Sequence, residues 1–291
     1  MEYYTNYNLE VSDITKTYDA FTLDHISFSL PSGSIMGFIG ENGAGKTTTL
    51  KALLGLVKKD AGNVHILGKE YNRTTELELK EQLGIVFDEC RFPENLSAVH
   101  IGKIMASTYK SWDKALYSRY LSAFSLSEKK LVKEYSRGMK MKLSIATALS
   151  HRPRLLLLDE PTSGLDPVIR NEILDVFLEY IQDERNSILL SSHITSDLEK
   201  IADYITFIHQ GKLVFSKEKD LILEQYGVLK CAKSELTSLE PELICGRHTA
   251  GFGCEVLVSD RRKAAALYPK LLIEPATLEN IMLYYGKEMS L

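Results

Sequence analysis

Residues 40–48 read Gly40-Glu41-Asn42-Gly43-Ala44-Gly45-Lys46-Thr47-Thr48. The first eight fit the spacing G-x-x-x-x-G-K-[ST]. An apolar stretch, Ser34 to Ile39, runs into them, and a helical pattern, Lys46 to Leu56, leaves them. Each residue type has a chemical reason. Gly40, Gly43 and Gly45 let successive backbone N–H groups turn inward around an anion, and Asn42 lies inside the same turn. The N-terminus of the following helix adds its positive dipole end. The Lys46 ammonium reaches the β- and γ-phosphates of a nucleotide. The Thr47 hydroxyl suits Mg²⁺, a hard cation that prefers oxygen ligands. Thr48 is placed to donate to the α-phosphate. This pattern implies a nucleoside triphosphate and leaves the machine it drives undecided.

A second segment narrows the choice. Leu155-Leu156-Leu157-Leu158 has no alternation, as expected of a strand buried on both faces, and it ends in Asp159-Glu160. A carboxylate at the end of such a strand stands beside a phosphate loop, so Asp159 is a candidate Mg²⁺ ligand, through water. Glu160 is a candidate general base for an attacking water. Ser163-Gly164-Leu165-Asp166 is a turn before a helical pattern over 167–183. The next strand, 187–191, runs into Ser192-His193, where an imidazole is in reach of a γ-phosphate.

Outward from these segments the chain alternates. Strand patterns occupy 23–30, 34–39 and 83–87, with a hairpin edge at 62–68 and a helix at 76–82. Helical patterns alone fill 98–108, after a Ser97 cap, and then 112–124, 128–134 and 136–150. Alternation resumes with 155–158, 167–183, 187–191, 195–202, 204–209 and 212–215. The reading is an α/β sheet carrying a helical insertion near 90–150. Past 225 the pattern loosens to a strand at 251–258 and a helix at 277–285. The expected division is therefore a main domain over 1–224 and a small extension over 225–291.

Composition excludes several classes. The chain has 291 residues, 44% hydrophobic and 25% charged, which is ordinary for a globular protein. Its net charge of −4 argues against holding nucleic acid by bulk electrostatics. The four cysteines form no C-x-x-C pair and read as reduced packing residues rather than a zinc site. The opening residues show no basic stretch followed by an apolar one, and no apolar run is long enough to span a bilayer.

Taken in order, Gly40–Thr48, Tyr135-Ser136-Arg137-Gly138-Met139, Leu155–Glu160, Ser163–Asp166 and His193 resemble the ATP-binding subunit of an ATP-binding-cassette (ABC) transporter over about residues 9–220. The resemblance implies a P-loop NTPase fold of the ABC-ATPase type: a RecA-like α/β core, an antiparallel β subdomain and a helical subdomain, here with a small α+β extension. It implies an ATPase whose cofactors are ATP and Mg²⁺. It assigns Ser136 and Gly138, from the family's signature segment, to a γ-phosphate, Tyr18 to stacking on adenine, and Asp166 to the catalytic turn. Its partners are a second ATPase subunit, the same chain or a different one, and a separate transmembrane permease, so the expected location is the cytoplasmic face of a membrane. A segment over 88–112 is where the family meets that permease.

Two departures stand out. Tyr135, Arg137 and Met139 replace the usual Leu, Gly and Gln of the signature. Asp88 stands where a glutamine is usual, and its carboxylate remains able to touch Mg²⁺ or the water. The segments Phe87–Leu96 and Ala276–Asn280 further resemble small bacterial exporters, including those for phenol-soluble modulins and for antimicrobial-peptide stress. Two rivals have less support. An ABC-type ATPase acting on nucleic acid or ribosomes usually has two cassettes or long heptad arms. An ATP-gated regulatory module has no need of Glu160 and His193.

Overall fold

The computed structural model describes residues 6–250, 253–285 and 287. The residues 1–5 at the start of the chain, and the Gly251-Phe252 start of the strand expected over 251–258, lie outside them. Two compact units are present: one of residues 1–194 and 206–216, the other of 195–205 and 217–291. The chain passes between them three times, at 194/195, 205/206 and 216/217.

The first unit is organised by parallel strands. β1 (Tyr7–Tyr18) and β2 (Phe21–Pro31) form a hairpin, and β3 (Ile35–Ile39) then leads through the glycine loop into α1 (Lys46–Leu53). β4 (Ala61–Ile66), β5 (Lys69–Glu70), α2 (Glu76–Lys80) and β6 (Leu83–Val86) follow. After α3 (Ala98–Thr108), α4 (Lys114–Ala123) and α5 (Arg137–Leu149) come β7 (Leu155–Asp159), α6 (Pro167–Tyr180) and β8 (Ser187–Ser191). The chain then continues through α7 (Thr195–Ile201), which belongs to the second unit, and through β9 (Tyr204–His209) and β10 (Lys212–Glu218). The ten strands form one sheet in the order β5-β4-β1-β2-β10-β9-β3-β8-β7-β6.

β3, β8, β7 and β6 are mutually parallel, and every residue of β3, β7 and β8 is buried. Parallel strands covered on both faces read as continuous apolar runs, which is why Leu155–Leu158 shows no alternation. Their register positions the site. Phe38 pairs with Ser191, Asp159 with Ser191, and Val86 with Leu158, so the carboxyl ends of all four strands finish side by side. Loops at such ends are where open parallel sheets bind ligands.

β2, antiparallel to β1, alternates in and out of the core along Leu23, Ile26, Phe28 and Leu30, as a strand with one wet face should. Between β9 and β10 both Gln210 (φ 46°) and Gly211 (φ 77°) adopt the left-handed region, the geometry of a tight two-residue hairpin turn. Gly211 is obligatory there, because a Cβ would lie 1.9 Å from the Thr22 carbonyl oxygen.

The helix expected over 128–134 does not form. Only the single 3₁₀ turn Val132–Glu134 is present. Its backbone donors are spent elsewhere: Val132 N–H on the Leu96 carbonyl at 2.8 Å and Lys133 N–H on that of Glu94 at 3.1 Å. Tertiary pairing with 94–97 outcompetes the local helical bonds. Ser97 stands at the head of α3, but its hydroxyl pairs with the His100 ring at 2.9 Å rather than capping the helix. α1 stops at Leu53, three residues before the expected end, and Gly55 (φ 67°) follows in the left-handed conformation that terminates helices.

The second unit contains α7, then α8 (Lys219–Gln225), β11 (Gly227–Ala232), β12 (Ile244–Ala250), β13 (Gly253–Val258), α9 (Arg261–Leu267), β14 (Leu272–Pro275) and α10 (Leu278–Tyr284). Its four strands pair antiparallel in the order β12-β13-β11-β14. Leu229, Cys231, Cys254, Val256 and Val258 form the core under them. All four cysteines are free thiols, two of them packed in this core. Among the described residues no helix is long and apolar enough to cross a membrane.

Candidate functional site

The glycine loop begins where β3 ends. Gly40 sits so close to β9 that a Cβ would lie 2.5 Å from the Ile208 carbonyl oxygen. Gly43 (φ 83°) and Gly45 (φ 112°) occupy conformations that side-chain-bearing residues rarely adopt, and Gly45 also packs under Phe21 and Leu23. α1 starts at Lys46 and has no side-chain cap at its N-terminus. The Lys46 side chain is 7% exposed, with its Nζ donating to the Gly40 carbonyl at 2.7 Å and lying 3.6 Å from Glu160 Oε1. Thr47 is exposed and Thr48 half-buried at the same helix end.

At the end of β7 the two acids part company. Asp159 is buried, and its Oδ1 accepts the Ser191 hydroxyl proton at 2.7 Å. Glu160 takes φ 51°, a conformation that costs a non-glycine residue roughly 1–2 kcal/mol. The neighbouring strand holds it there: Glu160 N–H donates to the carbonyl and hydroxyl oxygens of Ser191, both at 3.1 Å. The turned backbone sends the carboxylate away from Asp159. Its Oε2 lies 2.6 Å from His193 Nδ1 and also accepts the His193 N–H at 3.3 Å. Glu160 therefore bridges Lys46 on one side and His193 on the other.

These groups share a cavity of about 380 Å³, lined by Phe21, Asn42, Lys46, Thr47, Thr48, Asp88, Arg137, Ser163, Glu160 and His193 together with the loop glycines. Its donors suit a polyanion: backbone N–H groups, one helix N-terminus, one ammonium and one guanidinium. A larger basin of about 650 Å³ lies elsewhere, between Asp113, Arg119, Arg152, Arg154 and Asp183. It has no strand-end acid and no glycine loop, and six of its charges are paired, as Arg152–Asp113, Arg185–Asp183 and Arg119–Glu179.

Of the residues expected in the site, Asn42, Gly43, Gly45, Lys46, Thr47, Thr48, Asp88, Glu160 and His193 line the cavity. Gly40 supports the loop from below. Asp159 stands behind the wall. Asp166 is outside: its Oδ1 accepts from Val168 N–H and Ile169 N–H at 3.1 and 3.0 Å, capping α6. Ser136 caps α5, with Met139 N–H at 3.3 Å, and Gly138 packs against α6, where a Cβ would meet Ile169 at 2.6 Å. Neither lines the cavity of its own chain. Tyr18 is 43% exposed at the end of β1, with the Lys16 ammonium 5.5 Å from its ring centre. The aromatic ring in the cavity wall is Phe21.

Five contributors escaped the sequence reading: Phe21, Glu41 and Arg137 as cavity residues, Ser163, and Ser191 as the link between Asp159 and Glu160. Ser191 had a signal, since it precedes His193 at a strand end, but a serine there carries no chemistry until its neighbour across the sheet is known.

Residues 23–163 match the ABC transporter family. The chain is 37% identical over 209 residues to the bacitracin transport ATP-binding protein of Bacillus licheniformis, covering 71% of this chain and 68% of that one. It is equally 37% identical over 215 residues to the lantibiotic transport ATP-binding protein of Streptococcus pyogenes, covering 73% and 91%. A solved ATP-binding subunit of an ABC transporter superposes with a TM-score of 0.67 at 29% identity, over 74% of this chain and 91% of that one. With a phosphate loop, a strand-end acid pair and a strand-end histidine converging on one cavity, the chain belongs to the ATP-binding subunits of ABC transporters, ATPases that hydrolyse ATP to drive transport.

Proposed function

We propose that the cavity binds the triphosphate of ATP with Mg²⁺ and that Glu160 is the general base of hydrolysis. The Glu160–His193 contact carries this reading, because a carboxylate fixed between an imidazole and the loop lysine is positioned to take a proton from water beside the terminal phosphate. Lys46 and the N-terminus of α1 balance the phosphate charge. The donors available to a cation are the Thr47 hydroxyl and the carboxylates of Asp88 and Asp159, all hard oxygens. Among the described residues no cluster of three acids, histidines or cysteines could hold a metal alone. That fits Mg²⁺, which keeps several waters and shares its sphere with substrate phosphates. When bound, the ion neutralises charge between the phosphates. Asp159, held by Ser191, fits contact through a water. Tyr18 stacks on the base, with Phe21 beside it.

The signature residues complete the site in trans. Ser136 and Gly138 begin α5 outside the chain's own cavity, so they serve the nucleotide of a second ATPase subunit, related by a twofold axis. Asp166 shapes the turn at that junction through its cap on α6. Hydrolysis removes the shared phosphate contacts and opens the pair, turning chemistry into motion. The motion acts on a separate transmembrane permease at the cytoplasmic face of a membrane. Exposed Val99 and Ile104 on α3, within 88–112, support that docking surface.

The transported substrate is an antimicrobial peptide or related antibiotic, moved outward. The names of the two relatives, transporters of bacitracin and of a lantibiotic, support this class. The resemblance of 87–96 and 276–280 to exporters of phenol-soluble modulins falls in the same class. The net charge of −4 supports the exclusion of nucleic acid as partner. The test is recovery of the Glu160→Gln chain from detergent-solubilised membranes in ATP. The expected companion is a membrane-spanning protein. Recovery of ribosomal or nucleic-acid complexes instead would reject the transport partner.

A further inference from the structure

Arg137 occupies a position that is glycine in the usual signature, so the family's general scheme gives it no task. It is the first residue of α5, directly after the Ser136 cap. Its side chain lines the same cavity as Lys46, Thr47, Thr48, Glu160 and His193 in its own chain. Among the described residues no carboxylate pairs with it, whereas Lys46 has Glu160. The guanidinium rests on the Ser163-Gly164 turn. A Cβ at Gly164 would lie 2.7 Å from Arg137 Nη1 and 2.9 Å from its Cζ, and Gly164 has φ 68°. The glycine thus leaves room for the guanidinium and permits the turn. A planar fork of donors, uncommitted to any acid and facing a cavity built for phosphates, is matched to a phosphate group.

We propose that Arg137 binds the terminal phosphate of the nucleotide held by its own chain, with the Ser163-Gly164 turn as the support that aims it. This rests on the reading of the cavity as the ATP site. It adds a contact in cis to the end of the helix whose Ser136 faces the second subunit. The presence of a terminal phosphate is thereby felt at the head of α5 and at the turn before α6 within a single chain.

The test is equilibrium binding of Mg·ATP and Mg·ADP to the full chain carrying Glu160→Gln, at concentrations where it sediments as a monomer. Arg137→Ala is expected to weaken ATP about tenfold, the scale of one charge-assisted contact at an exposed site, and to leave ADP within about twofold. Arg137→Lys, which keeps charge without the fork, should recover part of the loss. Gly164→Ala, which puts a Cβ where the guanidinium stands, should also weaken ATP more than ADP. Unfolding curves of the variants separate a binding defect from a folding one. Unchanged ATP affinity of Arg137→Ala in the monomer overturns the proposal, as does an equal loss for ATP and ADP. So does a loss that appears only in the dimer, which would assign Arg137 to the partner's nucleotide. Unchanged affinity of Gly164→Ala overturns the support role. Lys46→Ala is the control: if it too binds ATP normally, the cavity reading fails, and if it alone loses ATP, only the Arg137 assignment fails.

Discussion

Two turns lead into helices in the first unit, and they treat the helix end differently. Before α6 the chain satisfies itself: Asp166 accepts two backbone N–H groups and Pro167 opens the helix. Before α1 the residue in the capping position is Gly45, in a left-handed conformation and without a side chain to offer. A missing cap alone marks nothing, since α3 also has none. α1 differs in its setting. Its end faces a cavity shared with Glu160 and His193, and its first side chain is a nearly buried lysine. The comparison teaches that a helix N-terminus closed by its own carboxylate serves stability, while one framed by glycines and a lysine serves an anion.

That contrast can be broken in graded steps. The largest effect is expected from Lys46→Ala, which removes the buried ammonium from the open end. Tight ATP binding should be lost, and calorimetry giving the parental affinity would contradict the assignment. Glu160→Gln comes next. It keeps the shape and the His193 neighbour but not the basicity, so ATP binding should persist while turnover falls at least about a hundredfold. Steady-state phosphate release checks it. Asp166→Ala acts at the closed end instead. Loss of the cap should cost about 1 kcal/mol in urea unfolding, while Asp166→Ser, which restores an acceptor, should cost only a few tenths.

The smallest effect lies away from both turns. His151 is buried at the end of α5, stacked on Tyr109 with ring centres 4.0 Å apart, and bonded to the Leu83 carbonyl at 2.9 Å. Burial holds its pKa below the ordinary 6.5, so the unfolded chain takes up this proton more readily than the folded one. Stability should therefore decline as pH falls through about 6.5. Thermal unfolding between pH 8 and 5.5 should show a shallower decline in His151→Asn, and an identical slope would remove the imidazole as a cause.

How much of this was legible varies by element. Fully buried strands such as Leu155–Asp159 announce themselves because they carry no polar face to break the run. The helix expected over 128–134 had good residues for a helix and did not form, because Leu96 and Glu94 took its backbone donors. In the second unit β11 and α9 were missed for different reasons. β11 is six residues long and mostly buried, so it shows no period. α9 opens with Asp260 capping Lys263 N–H at 2.9 Å, a readable signal hidden by three consecutive basic residues after it.

The sequence by itself determined the phosphate loop, since everything it needs lies within nine consecutive residues: glycines for the turn, a lysine and two threonines at the helix start. Tertiary structure alone decided how the distant residues divide their work. The parallel register of β7 against β8 sets Ser191 beside Asp159, draws that acid behind the wall, and pins Glu160 in the conformation that reaches His193. The packing of α5 on the turn before α6 brings Arg137 to the cavity. Spacing along a chain specifies contacts only where the chain is continuous. Across a sheet the outcome belongs to strand register and to which side chain has room.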